Sequence, residues 1–333
     1  SSTREARQSD RTQDQSGAEL HVVVPSVDSY GASFANVIHD KPMECAVCFV
    51  RWRQVYHHVG SSDCPTSTAA AGFNNKYVKE YDGFIMGAKK DQYRTGGICV
   101  SRLAEPMDPS SYADAADIGS KTYVYPTEIE VSKTAGSAYG ESIYANMTHS
   151  EVTCAVCTAD IDHGVTITIP GASTCPERSV GVDNVTNVET GNASIVALSS
   201  QVFPVMSSLV AGSYFSHRGS LTNAYCLAQN ATWRHTSKSR QGGAELYESE
   251  FQTGVAGDGV TNREVPCADC RVENAFIEQT LYGAAECPSG WEELYNGTVY
   301  ASRYNHNREE YQCVPDDDAM MDPQGSGSVN QDG

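Results

Sequence analysis

One short cysteine pattern occurs three times in this chain and limits what it can fold into. Cys45-Ala46-Val47-Cys48 returns as Cys154-Ala155-Val156-Cys157 and as Cys267-Ala268-Asp269-Cys270. The interval is roughly 110 residues, a usual size for one small domain. Each copy is followed by a cysteine–proline pair (Cys64-Pro65, Cys175-Pro176, Cys287-Pro288) and later by a fourth cysteine, at Cys99, Cys226 and Cys313. All 12 cysteines are thereby assigned to three sets of four. Self-similarity of this kind reads as divergent copies of one unit, and an even cysteine count in each reads as a disulfide framework.

The copies and the stretches between them suggest an organisation. Residues 1–24 form an arm and a strand, and 25–107 a first repeat. A connector, 108–138, leads to a second repeat, 139–228, which carries an inserted hairpin at about 177–208. A second connector, 229–246, precedes a third repeat, 247–320, and a polar tail, 321–333.

Three chemistries use a Cys-x-x-Cys pair. A zinc ribbon needs four ligands converging on one metal, hence a second close pair, and here the later cysteines are widely and variably separated. A redox dithiol is expected beside a βαβ pattern rather than in triplicate along a strand-rich chain. The structural reading fits better. On an extended strand, residues three apart point to opposite faces, so the two cysteines cannot readily join each other but can each reach a different partner. Pairing within each set of four is the expectation, with two arrangements left open.

Helical periodicity is weak throughout, and short alternating runs bounded by turn residues are common. Val165-Thr166-Ile167-Thr168-Ile169-Pro170-Gly171 is the clearest strand and turn. Thr122 to Val131 reads as an edge strand interrupted by Pro126, because proline lacks the ladder donor. The expected fold is all-β. Leu20, Val22, Val23 and Val24 belong to a β-branched run tethered to the polar arm, a candidate assembly strand for its own sheet or for the edge of another molecule.

A net charge of −19 opposes binding to nucleic acid phosphates. No run approaches the roughly 18 apolar residues that cross a bilayer as a helix. Sequons at Asn146, Asn184, Asn192, Asn230 and Asn296, together with paired cysteines, point to a secreted N-glycoprotein. A chain opening on Ser1 rather than Met fits a leader already removed. No nucleophile elbow, phosphate loop or zinc-protease helix is present, so no enzyme is expected. No resident cofactor is expected either, although the acidic surface, including Asp316-Asp317-Asp318, leaves room for weakly bound calcium. His57, His58, His217 and His306 are candidate ligands or bases, with structural hydrogen bonding the favoured reading. Tyr214 with His217 and Tyr304 with His306 are candidate sugar contacts, against a default role for the 18 tyrosines in small cores and subunit contacts.

Val265-Pro266-Cys267-Ala268, Cys287-Pro288-Ser289-Gly290-Trp291, Cys313-Val314 and the closing Gly327 to Gly333 resemble the C-terminal repeats of spongin-type short-chain (non-fibrillar) collagens. The second unit matches through Cys154–Cys157, Ile169-Pro170-Gly171 and Tyr225-Cys226-Leu227. The resemblance implies an extracellular matrix role. It also implies that the three tandem, disulfide-stapled units read from the cysteines, one more than the family's usual shorter array, are distantly like the terminal non-collagenous domain of basement-membrane collagen, which is β-rich and drives assembly. The sequence departs from that family in having no Gly-X-Y run, so this chain forms no collagen triple helix. A structural protein that assembles with itself, with matrix glycans as further partners, is the leading expectation. A soluble lectin-like carbohydrate-binding protein is the alternative.

Overall fold

A computed structural model describes residues 22–26, 53–65, 77–104, 121–130, 148–160, 164–176, 202–228, 243–252, 263–273 and most of 275–316, with isolated positions between 39 and 48. The described residues are all-β. In chain order the strands are β1 (Val22–Pro25), β2 (Arg53–Val59), β3 (Val78–Gly87), β4 (Ile98–Ser101), β5 (Lys121–Ile129), β6 (Ser150–Glu151) and β7 (Thr153–Asp160). They continue with β8 (Val165–Pro170), β9 (Val202–Gly212), β10 (Tyr225–Leu227), β11 (Ala244–Glu248), β12 (Pro266–Val272), β13 (Gly297–Tyr300) and β14 (Gln312–Pro315). Twelve join one sheet whose main path is β2-β7-β3-β5-β11-β9-β12-β8, and β13 and β14 pair separately.

The sheet contains two blocks with the same pairing pattern. In the first, β7 lies between β2 and β3, antiparallel to both, so that Cys154 faces Val59 on one side and Gly83 on the other. In the second, β12 lies between β8 and β9, and Cys267 faces Pro170 and Ser208. The central strand of each block thus comes from the segment that follows its flanking strands in sequence. A β-strand buried on both faces needs small or apolar side chains, or polar ones that find partners inside. β12 is buried along its whole length, with Cys267 and Cys270 in different apolar clusters.

Both expected connectors contain central strands. β5 pairs with β3 and, in parallel, with β1 and β11. Pro126 does not interrupt it. The pairing to β1 ends at Val124 and the pairing to β11 begins at Thr127, which places proline where neither neighbour calls for its missing N–H. Part of the expected hairpin at about 177–208 is also central, since Val202 to Ser208 run straight on into β9; residues 177–201 lie outside the described residues.

The largest apolar cluster draws Val59, Ile85 and Cys154 from the first block and Leu209, Leu227 and Leu246 from the second. A polar interlock fastens the blocks elsewhere. Gln54 donates to the Thr166 carbonyl at 3.1 Å and accepts from its N–H at 2.7 Å. The Tyr56 hydroxyl donates to Asp269, which also accepts from Thr168 Oγ1 at 2.6 Å. Arg271, with no exposed surface, donates to the Gly164 carbonyl at 3.3 Å and sits 5.7 Å from the Tyr77 ring centre. Every one of these groups reaches a partner, as burial requires.

Candidate assembly groove and unpaired cysteines

The disulfides do not form within the sets of four. They are Cys64–Cys157, Cys99–Cys154, Cys175–Cys270 and Cys226–Cys267, each joining one set to the next. The cause lies in the strand order. A Cys-x-x-Cys strand enters the block built by the preceding segment, so its two cysteines meet the earlier Cys-Pro and fourth cysteines. The expected divergence of Cys-x-x-Cys side chains is present. Cys154 points into the largest cluster and Cys157 into a separate one with Tyr56 and Ala155.

Four of the twelve expected disulfide cysteines are unpaired in the single chain. Cys45, Cys48 and Cys287 are exposed and Cys313 is half-buried. Burial pushes the Cys313 thiol up from its ordinary value. Cys45, Ala46 and Cys48 are outside any strand, although the same Cys-Ala-Val-Cys sequence at Cys154–Cys157 is a buried strand. Sequence alone therefore does not set the conformation; a strand slot does.

An open groove of about 480 Å³ borders the other two free cysteines, Cys287 and Cys313. Ile277 to Ala284 line it together with Trp291 to Gly297 and Val299, and Ile167, Thr168 and Val272 of β8 and β12 reach it as well. The segment Ile277 to Ala284 belongs to no strand, and β13 pairs only with β14 among the described residues. Five of the 12 exposed large apolar side chains among the described residues line it, at Ile277, Leu281, Tyr282, Trp291 and Val299, and a sixth, Tyr311, packs its ring 6.3 Å from that of Tyr282. Such concentration of exposed apolar surface marks an interaction site.

The remaining candidate residues are dispersed. Val22, Val23 and Val24 form β1, paired in parallel with β5 of the same chain, and Leu20 lies outside the described residues. Asn296 is exposed at the groove, while Asn146, Asn184, Asn192 and Asn230 lie outside the described residues. His58 is buried, 2.8 Å from the Asp63 carbonyl, and burial holds its pKa below the ordinary value. His217 packs against Tyr214 at 5.0 Å and Tyr247 at 5.8 Å between ring centres, and His306 against Phe215 at 4.6 Å. Those rings pack together outside the strands, beside Tyr247 of β11; Tyr304 is outside the described residues. Asp316 accepts a bond from Thr298 Oγ1 at 2.8 Å, and Asp317 and Asp318 are outside them too.

Sequence reasoning missed one potential cation site. Glu128, Glu130 and His149 each place a ligand atom within 4.8 Å of the others, and His149 Nδ1 is 2.8 Å from Glu130 Oε1. The three come together only because β5 pairs with β6, and no local spacing announces that. Oxygen and imidazole donors of this kind suit a divalent cation. The described residues contain no helix long and apolar enough to cross a membrane. In the comparisons with known proteins, no family model, curated protein or solved structure matches the chain.

Proposed function

We propose that this chain is a secreted structural glycoprotein that assembles with itself into an extracellular matrix, fibre or filament, in the manner implied by its resemblance to short-chain collagen terminal repeats. The observation that supports this most is the groove at residues 277–299, where exposed apolar side chains border two unpaired cysteines, exposed Cys287 and half-buried Cys313, beside blocks whose equivalent cysteines are all bonded. A building block needs a surface that its own fold does not satisfy, and this is such a surface. The work would be done by sheet pairing and covalent staples, with no catalytic group required. The four disulfides and the five sequons suit an oxidising, glycosylating route. Electron micrographs of the glycosylated chain under oxidising conditions test the proposal. Long ordered objects are expected, and small separate particles at all concentrations would reject it.

A further inference from the structure

The two filled blocks obey one rule, and it applies to the two ends of the chain. In both, the Cys-Pro cysteine bonds the second cysteine of the next Cys-x-x-Cys (Cys64 to Cys157, Cys175 to Cys270). The fourth cysteine bonds the first (Cys99 to Cys154, Cys226 to Cys267). The last Cys-Pro and fourth cysteines, Cys287 and Cys313, are unpaired in the single chain, and so are Cys45 and Cys48 of the first Cys-x-x-Cys. What the tail lacks, the head supplies.

The groove has the shape of the filled slots. Each block has a left-handed glycine four residues before its Cys-Pro cysteine, Gly60 at φ 86° and Gly171 at φ 82°, and Gly283 at φ 81° stands in the same place before Cys287. In the blocks that glycine's N–H donates to the residue preceding the Cys-x-x-Cys, from Gly60 to the Thr153 carbonyl at 2.8 Å and from Gly171 to the Pro266 carbonyl at 2.7 Å. Further along the lining, β13 pairs with β14 as β3 pairs with β4, and Val299 faces Cys313 as Ile85 faces Cys99. A Cβ on Gly83 would lie 1.8 Å from the Val100 carbonyl oxygen, and one on Gly297 2.0 Å from that of Val314, so both strand pairs share one close approach. Around Gly60 and Gly171 a Cβ would meet neighbours, whereas around Gly283 there is nothing within 4 Å.

The head is set up alike. Val152 N–H donates to Thr127 and Val265 N–H to Ser249, each two residues before its Cys-x-x-Cys, and Met43 N–H donates to Val23 in the same place. The head also repeats the sequence around β11, since Gly17-Ala18-Glu19-Leu20 matches Gly243-Ala244-Glu245-Leu246.

We infer that the groove takes the Cys45–Cys48 segment of a second copy as its missing central strand, joined by Cys48–Cys287 and Cys45–Cys313 bonds between chains. This specifies the contact behind the proposed self-assembly and rests on that reading. By the register of the blocks, Cys45 lies opposite Tyr282 and Gly297, and Val299 N–H donates to the carbonyl of Met43, as Ile85 does to Val152 and Val210 to Val265. Each bond forms as two thiols give up two protons and two electrons to a disulfide oxidant, whose own S–S bond breaks to leave two thiols. Because one head and one tail remain free after every addition, the contact is heterologous and propagates.

The test mixes light- and heavy-isotope full-length chains, with these four thiols reduced, and oxidises them with oxidised glutathione. Mass spectrometry of linked peptides is expected to show mixed-isotope Cys45–Cys313 and Cys48–Cys287 bonds, as abundant as same-isotope ones, and a ladder on a non-reducing gel. Same-isotope bonds alone would mean closure within one chain, and Cys45–Cys48 or Cys287–Cys313 bonds would mean local pairing; either overturns the inference. A chain carrying Cys45→Ser and Cys48→Ser, mixed with one carrying Cys287→Ser and Cys313→Ser, is expected to stop at a covalent dimer, and each alone at monomer. Ordered assemblies in micrographs without these bonds would overturn the pairing and leave self-assembly standing. Monomers by sedimentation in every mixture would overturn both.

Discussion

The blocks centred on β7 and β12 are complete, and the groove beside β13 is not, though their sequences follow one plan. Cys154 and Cys267 have no exposed surface, whereas Cys45 is exposed, and the Ala-Val between the cysteines is the same in the first and second copies. The difference teaches that a Cys-x-x-Cys segment here becomes a strand by occupying a place between two others. Its own propensity is too weak to decide, as expected for β structure, where packing against neighbours dominates.

The sharpest way to break that comparison is to remove equivalent cysteines. Cys154→Ser leaves Cys99 without its partner in the largest apolar cluster, and loss of a native disulfide costs about 2–5 kcal/mol. Cys45→Ser should change the stability of the single chain by less than about 0.5 kcal/mol, because an exposed unpaired side chain is lost. Urea unfolding of the monomer measures both. Equal losses would show that the head is already docked within its own chain.

Much of the closed part was legible in the sequence, and the reason is local. Alternation in Val165–Pro170 announces β8, and the i, i+3 spacing of each Cys-x-x-Cys announces that its cysteines face opposite ways. The displacement of every staple by one unit was not legible, because it depends on strand order, which is non-local. Thr122–Val131 looked like an edge for the same reason. Pro126 forbids one donor, and only the staggered partners β1 and β11 show that no donor was needed there. The groove could have been suspected from one signal, the glycine four residues before Cys64, Cys175 and Cys287.

The two closed blocks also differ from the open end in what fastens them to each other. Asp269 sits where the other copies have Val47 and Val156, and it holds the Tyr56 hydroxyl across the block boundary. Burial raises its carboxyl from 3.8 to about 6, against the opposing hydrogen bonds from Thr168 and Tyr56. A carboxyl whose folded pKa is raised binds its proton more tightly folded than unfolded. Its contribution is therefore fully present below about pH 4 and is lost as pH rises through about 6, on the order of 3 kcal/mol across that window. Asp269→Asn should flatten this part of the stability profile, measured as urea midpoints at pH 4 and pH 7. A slope that persists in the variant would assign the pH dependence to other groups.

The smallest effect discriminates best, because it contrasts one strand position filled and unfilled. Ile85 in β3 and Val299 in β13 each face a fourth cysteine, Cys99 and Cys313. Ile85 is 2% exposed, with β7 beside it, and Val299 is 44% exposed. Truncating a buried isoleucine to alanine removes transfer energy and leaves a cavity, about 2–5 kcal/mol. Truncating an exposed valine leaves no cavity, so Val299→Ala should stay within about 0.5 kcal/mol in the monomer. The two positions should converge when the slot fills. In oxidised, assembled material Val299 would acquire the neighbours that Ile85 already has, and Val299→Ala should then lower the thermal midpoint of the assembly while leaving that of the monomer where it was. An equal shift in both states would mean that β13 gains nothing on assembly, and that the groove is a feature of the folded chain rather than a place kept for another.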